Sequence, residues 1–209
     1  MTKTLVIHPI DRTTDFLDEI YKEKENTVVV RSNISGDELK QLICNIDPKE
    51  LYMLGHGLPQ GLLGFYRLVI DETYVNLLKG RDLVGLWCNA DVFFKKHDLK
   101  GLYTGMWVSE PYEAKVFNLR ATPSEITASN ERFAKAVAEV LALRDRRVIA
   151  ETSVAETIKR RYLTIHGLAQ KHLKEDSLLA FNSERIYYNP RAELLLPPST
   201  LDVEVDHVS

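Results

Sequence analysis

Short apolar runs alternate with segments of helical spacing along the first half of the chain. Thr4 to His8 is β-prone and closed by Pro9, which reads as a first strand. Thr13 or Thr14 then caps a helix to about Lys24, with Phe16, Leu17, Ile20 and Tyr21 on one face. Thr27 to Arg31 forms a second strand. Ser35 opens a second helix, and Glu38 three residues on completes a capping box. Leu39, Leu42, Ile43 and Ile46 give that helix its apolar face, and Asp47-Pro48 ends it. A third apolar run, Leu51 to Leu54, leads into Gly55-His56-Gly57. Three strands alternating with two helices predict an α/β fold with a doubly wound, mostly parallel sheet. Right-handed crossovers then flank the sheet with helices on both faces.

The pattern breaks over residues 57–71. Gly57, Pro59, Gly61 and Gly64 mark a loop, followed by a small hairpin of Leu62 to Phe65 and Arg67 to Ile70. A short helix over 72–79 precedes Leu83 to Leu86, a strand that runs into Trp87-Cys88-Asn89. A helix over 90–97, a strand over 101–108 and a helix capped by Ser109 with Pro111 in its first turn come next. The longest helix spans Ser124 to Arg144, with Ile126, Phe133, Ala134, Val137, Val140 and Leu141 in one stripe. Val148 to Ala150 is a weak strand, and a helix runs from Ser153 to about Leu173. Leu178 to Phe181 and Arg185 to Tyr188 read as a second hairpin, with Asn182-Ser183-Glu184 as its turn. The organisation expected is one α/β domain over 1–150, a helix and hairpin packed on it over 151–196, and a mobile tail over 197–209.

Composition narrows the function classes. Hydrophobic residues at 44% and charged residues at 27% are ordinary for a globular chain. A net charge of -3 gives no bulk attraction to nucleic acid or to an anionic membrane. No apolar run reaches the length of a membrane span, and the N-terminal apolar stretch is too short for a signal peptide. The two cysteines, Cys44 and Cys88, form no disulfide framework and fit a reducing, cytoplasmic compartment. Neither has close Cys or His neighbours, so no structural zinc is expected, and no G-x-G-x-x-G or P-loop calls for a nucleotide cofactor. Cys44, inside the second helix, reads as structural.

Two apolar runs end on chemically useful residues, His56 and Cys88. If their strands are neighbours in a parallel sheet, a thiol and an imidazole meet at its carboxyl edge, where open α/β sheets place their sites. An imidazole can supply the thiolate state that a nucleophilic cysteine needs. Gly57 permits close backbone approach, and its amide with that of Cys88 suits an oxyanion. The structural alternative, a lone His and a lone Cys at strand ends, stands beside this on spacing alone.

The order of apolar block, His56-Gly57, spacer, apolar block and Cys88 resembles the caspase-like cysteine peptidases. Leu86-Trp87-Cys88-Asn89 is similar to the cysteine block of their CHAT domains, in which a small residue often precedes the cysteine. Trp87 departs from that pattern. Gly105 to Ala114, and Ser129-Asn130 before Phe133-Ala134-Lys135-Ala136, resemble the following segments. The resemblance covers residues 1–145 and implies a caspase-like three-layer sandwich. Cys88 would be the nucleophile and His56 the general base of a peptidase acting on a protein or peptide. It further implies that the loop after the first strand, with Asp11, Arg12 and Asp15, helps form a specificity pocket. Surface charge and capping are the plainer roles for these three. Asn89 and Asp91 read as caps of the next helix, Glu110 as a first-turn charge, and His8 as a satisfied structural histidine. The interval of 32 residues between His56 and Cys88 is short for that group. An alternative is therefore a catalytically degenerate domain of the same fold that binds or scaffolds. A third reading is an unrelated doubly wound domain holding a small ligand at the same edge. The sequence leaves the oligomeric state open.

Overall fold

The computed structural model describes residues 3–164 and 177–190. Six strands form the main sheet: β1 (Thr4–Ile7), β2 (Thr27–Val30), β3 (Glu50–Leu54), β7 (Asp82–Leu86), β8 (Gly101–Thr104) and β9 (Ile186–Asn189). Their spatial order is β2-β1-β3-β7-β8-β9. The first five are parallel, and β9 pairs antiparallel with β8. A second, three-stranded antiparallel sheet, β4 (Gly57–Leu58), β5 (Gly61–Gly64) and β6 (Arg67–Ile70), sits between β3 and β7 in the chain.

Neighbouring side chains on a strand point to opposite faces, and both faces here are covered. Val6, Tyr52, Leu54, Val84, Leu86 and Leu102 pack into one core, beneath a 3-10 helix (Asp15–Ile20), α5 (Pro123–Asp145) and α6 (Val154–Thr164). Leu5, Ile7, Leu51, Met53, Leu83 and Tyr103 pack into the other, against α1 (Gly36–Ile46), α2 (Val75–Leu78) and α3 (Ala90–Lys96). This three-layer arrangement explains why the central strands read as unbroken apolar runs rather than alternating ones. Ser35 caps α1 through the expected box with Glu38. Thr122 does the same for α5 with Glu125, and the helix starts one residue before the expected Ser124.

Several elements differ from the expectation. The segment after β1 tightens into a 3-10 helix of six residues, not a helix to Lys24. Val148 to Ala150 forms no strand. Residues 101–108 are strand only to Thr104. The helix after them, α4 (Pro111–Val116), has Glu110 at its N-cap position rather than Ser109. The second hairpin does not form. Leu178 to Ser183 is a short helix, α7, capped by Ser177, whose hydroxyl accepts the Ala180 N–H. Asn182, the expected turn residue, is buried, and its amide holds both backbone groups of Val108 at 3.0 Å. The chain then returns as β9, the sixth strand of the main sheet. The expected tail over 197–209, and the helix beyond Thr164, lie outside the described residues.

Candidate active site

β3 and β7 are hydrogen-bonded neighbours, with Leu54 opposite Leu86. The Gly55 N–H donates to the Leu86 carbonyl at 3.0 Å and carries the pairing one residue further. His56 and Cys88 each lie two residues beyond that matched pair. Two residues restore the same face of a strand, and Leu54 and Leu86 both face the α5 layer. The register therefore delivers the imidazole and the thiol to one side of the sheet at its carboxyl edge. There they line a common cleft, with Phe16 and Leu17 from the 3-10 helix, Trp107 and Phe133. No hydrogen bond joins the two groups; each has other partners.

The thiol donates to the Trp107 carbonyl at 3.3 Å, and Glu113 Oε1 lies 4.0 Å away. Burial first, and then the Glu113 and Glu110 carboxylates, push the Cys88 thiol up to about 11. Near neutral pH it is a protonated thiol. Glu113 is anchored by its other oxygen, which accepts the Ser109 N–H at 2.8 Å, the Ser109 hydroxyl at 3.2 Å and the Glu110 N–H at 3.1 Å.

His56 is tied to the loop after β1. Its Nε2 lies 2.6 Å from the Thr13 hydroxyl, and that hydroxyl lies 2.7 Å from Asp11 Oδ1. Asp11 Oδ1 also accepts the Thr13 N–H at 2.9 Å, and Oδ2 stands 3.8 Å from Nε2. Although burial works the other way, the two bonds from Thr13 hold the Asp11 carboxyl below its ordinary range. The Thr13 hydroxyl has one proton, which goes to the anionic Asp11. Its oxygen then accepts from His56 Nε2, so that in the neutral ring the proton sits on Nε2 and Nδ1 is the acceptor. An Asp11–Thr13–His56 chain of this kind orients the imidazole ring.

The other residues singled out in the sequence fall as follows. Gly57 begins β4 directly beside Trp87: a Cβ there would stand 1.9 Å from Trp87 Cδ1 and 2.8 Å from the Gly61 carbonyl oxygen. The bulk at Trp87 is thus accommodated by the missing side chain at Gly57. The indole donates to the Leu58 carbonyl at 3.2 Å and packs edge-on to Phe93. Asn89 occupies the N-cap position of α3 without a side-chain bond. Its contribution is a left-handed backbone, φ 66°, which asparagine tolerates better than most residues. Asp91 pairs with Lys95 at 3.0 Å. Asp15 is bound to Arg31 at 2.5 Å, Arg12 is exposed, and neither lines the cleft. His8 is fully buried between Tyr21, Thr14 and Asp18. Burial, and then the Arg31 guanidinium, lower it to about 4, so it is neutral and structural. Cys44 lies on the solvent face of α1.

Thr13 and Glu113 are the contacts of His56 and Cys88 that spacing does not single out. Thr13 read only as a helix cap, and Glu113 lies 25 residues from the thiol it faces. Among the described residues no group of three or more His, Cys, Asp or Glu could hold a metal ion, and no helix is long and apolar enough to cross a membrane. Compared with protein-family models and with curated proteins, the chain matches none.

Proposed function

We propose that this protein is a caspase-like cysteine endopeptidase in which Cys88 attacks a peptide carbonyl and His56 carries the proton. The observation that supports this most directly is the register: matched residues of neighbouring parallel strands place both groups on one face, in one cleft. Helices on both faces of a mostly parallel sheet fit the sandwich that the sequence resemblance implies. In the reaction, Sγ bonds to the carbonyl carbon while the thiol proton passes to His56 Nδ1. Backbone N–H groups of Gly57 and Cys88 are the candidates to hold the oxyanion. The proton then moves to the leaving amine as the C–N bond breaks. Water, deprotonated by His56, hydrolyses the thioester and restores the thiol.

The protonated Cys88, turned toward Trp107 and Glu113, favours a second reading: a degenerate domain of the same fold that binds and does not cleave. Site-resolved labelling distinguishes them. The cysteine peptidase reading expects a peptide-like electrophile to modify Cys88 in a manner that depends on His56. Cys88→Ala and His56→Ala should each abolish cleavage of an unfolded protein substrate with the fold retained by circular dichroism. Thr13→Val should lower the rate by roughly 10–100-fold through the lost orientation of the ring. Cleavage that survives in Cys88→Ala would remove the peptidase reading. Modification of Cys88 at the same slow rate with and without His56 would favour the binding module.

A further inference from the structure

The cleft beside the thiol is walled by apolar side chains, and the charges near it are carboxylates: Glu113, which faces the thiol, and Asp11, which stands beside His56. Phe16, Trp107 and Phe133 form its apolar sides. Apart from His56 and Cys88, its polar side chains are already engaged within the protein. The Thr104 hydroxyl donates to the Trp87 carbonyl at 3.0 Å, and the Trp107 indole N–H donates to Asn130 at 3.3 Å. The Thr14 hydroxyl donates to the Asp11 carbonyl at 3.2 Å, and the Ser109 hydroxyl to Glu113 at 3.2 Å. Asp11 spends its Oδ1 on Thr13, and Asp15 is neutralised by Arg31. The space inside is about 20 Å3, little more than the roughly 10–15 Å3 that one water needs.

We propose that this cleft receives the side chain on the acyl side of the scissile bond and selects a small, uncharged one of the alanine class. The inference rests on the peptidase reading above. An acidic side chain entering the cleft would lose its hydration and meet a second carboxylate, Glu113, beside the thiol, and a lysine or arginine side chain is too long for the space between the aromatic walls. A branched aliphatic or aromatic side chain would meet Phe16 and Phe133 before it was seated. Phe16 is the half-buried member of the wall and sets the depth; Phe133 is locked in the core by Trp107 and Tyr162.

The test uses the full chain carrying Cys44→Ser, which removes the exposed second thiol. Four peptidyl chloromethyl ketones, identical but for a terminal Ala, Leu, Asp or Lys, are compared by intact mass and peptide mapping. In this reaction the Cys88 sulfur bonds to the methylene carbon as the C–Cl bond breaks. Chloride leaves with the bonding pair, and the thiol proton passes through His56 to solvent. The Ala probe should label Cys88 at least roughly 100-fold faster than the Asp and Lys probes. The Leu probe should be slow on the native cleft and gain roughly 10-fold or more in Phe16→Ala. Asp labelling as fast as Ala would overturn the charge argument, and Leu or Lys labelling as fast as Ala would overturn the size argument. In either case the peptidase reading would stand. If iodoacetamide reaches Cys88 while none of the four peptidyl probes does, the peptidase reading and this inference fall together.

Discussion

At the scale of single residues, the decisive pair is Cys88 and Glu113. A nucleophilic cysteine is expected to sit among groups that favour the thiolate. Here a carboxylate faces the sulfur across 4.0 Å, and its other oxygen is fixed by two backbone N–H groups and a hydroxyl. The sign of the effect is plain: a negative charge beside an acid disfavours its ionised form, so it raises the thiol above its ordinary value. Alkylation of Cys88 by a small neutral reagent should therefore rise with pH toward a midpoint of about 11. Glu113→Gln removes that charge and keeps an oxygen for the Ser109 and Glu110 amides. It should move the midpoint downward and quicken labelling at pH 8, while burial keeps the midpoint above that of an exposed thiol. An unchanged profile in Glu113→Gln would show that burial alone sets the thiol. His56 and Cys88 were legible in the sequence because each closes an apolar run. Glu113 was not, because the contact depends on where α4 lands after β8, and no local pattern encodes that.

At the scale of elements, the site is a matter of strand register and of one glycine. The pairing Leu54 opposite Leu86 makes the two loops that follow β3 and β7 equivalent. Apolar runs reveal such strands, but they do not show which strands are neighbours; that rested on the order of strands and helices. The small antiparallel sheet was legible as a Gly-rich hairpin, although β4, its third strand, was not. Two residues of β4 carry too little pattern, and Gly57 read as freedom of the backbone rather than as room for Trp87. This gives a specific expectation. Gly57→Ala adds a methyl where 1.9 Å separates it from the indole, so either Trp87 or β4 must shift. Overpacking of this kind costs about 1–3 kcal/mol. Because Trp87 precedes Cys88, the shift should also slow Cys88 labelling in the folded protein. Paired measurement of urea unfolding and labelling rate checks both. A variant as stable and as reactive as the parent would show that β4 moves freely away from β7. The α7 helix was misread for a related reason. Four apolar residues followed by Asn-Ser-Glu fit a strand and turn as well as a buried helical turn. The Ser177 cap and the clasp of Asn182 on Val108 separate the two.

At the scale of the whole molecule, the sheet keeps its candidate site and a nearly buried ionic cluster at opposite ends. Glu50 opens β3, four residues before the end from which His56 follows. At that far end Glu50 accepts from Thr4 at 2.8 Å and pairs with Arg144 at 2.5 Å and Lys24 at 3.0 Å. Asp145 closes the group through Lys24 at 2.6 Å and Arg144 at 2.8 Å. Two cations and two anions balance there, and they tie β1, β3, the chain before β2 and the end of α5 together. Glu50 and Arg144 are nearly buried, with side-chain exposures of 7% and 8%. Removing one partner of such a pair leaves a desolvated charge, which costs more than the intact pair contributes. Glu50→Ala should therefore destabilise the fold by about 3 kcal/mol, the low end for a broken buried pair, because Asp145 still faces both cations. Glu50→Met with Arg144→Met, which leaves Lys24 and Asp145 as a pair, should recover much of the loss. Cys88 labelling in the folded fraction should be the same in all three proteins, since the cluster lies across the length of the sheet from the thiol. Urea unfolding with site-resolved labelling at low denaturant measures both quantities on one sample. A labelling rate that changes in step with the lost stability would mean that the two ends of the sheet are coupled and that the cluster holds the register on which His56 and Cys88 depend.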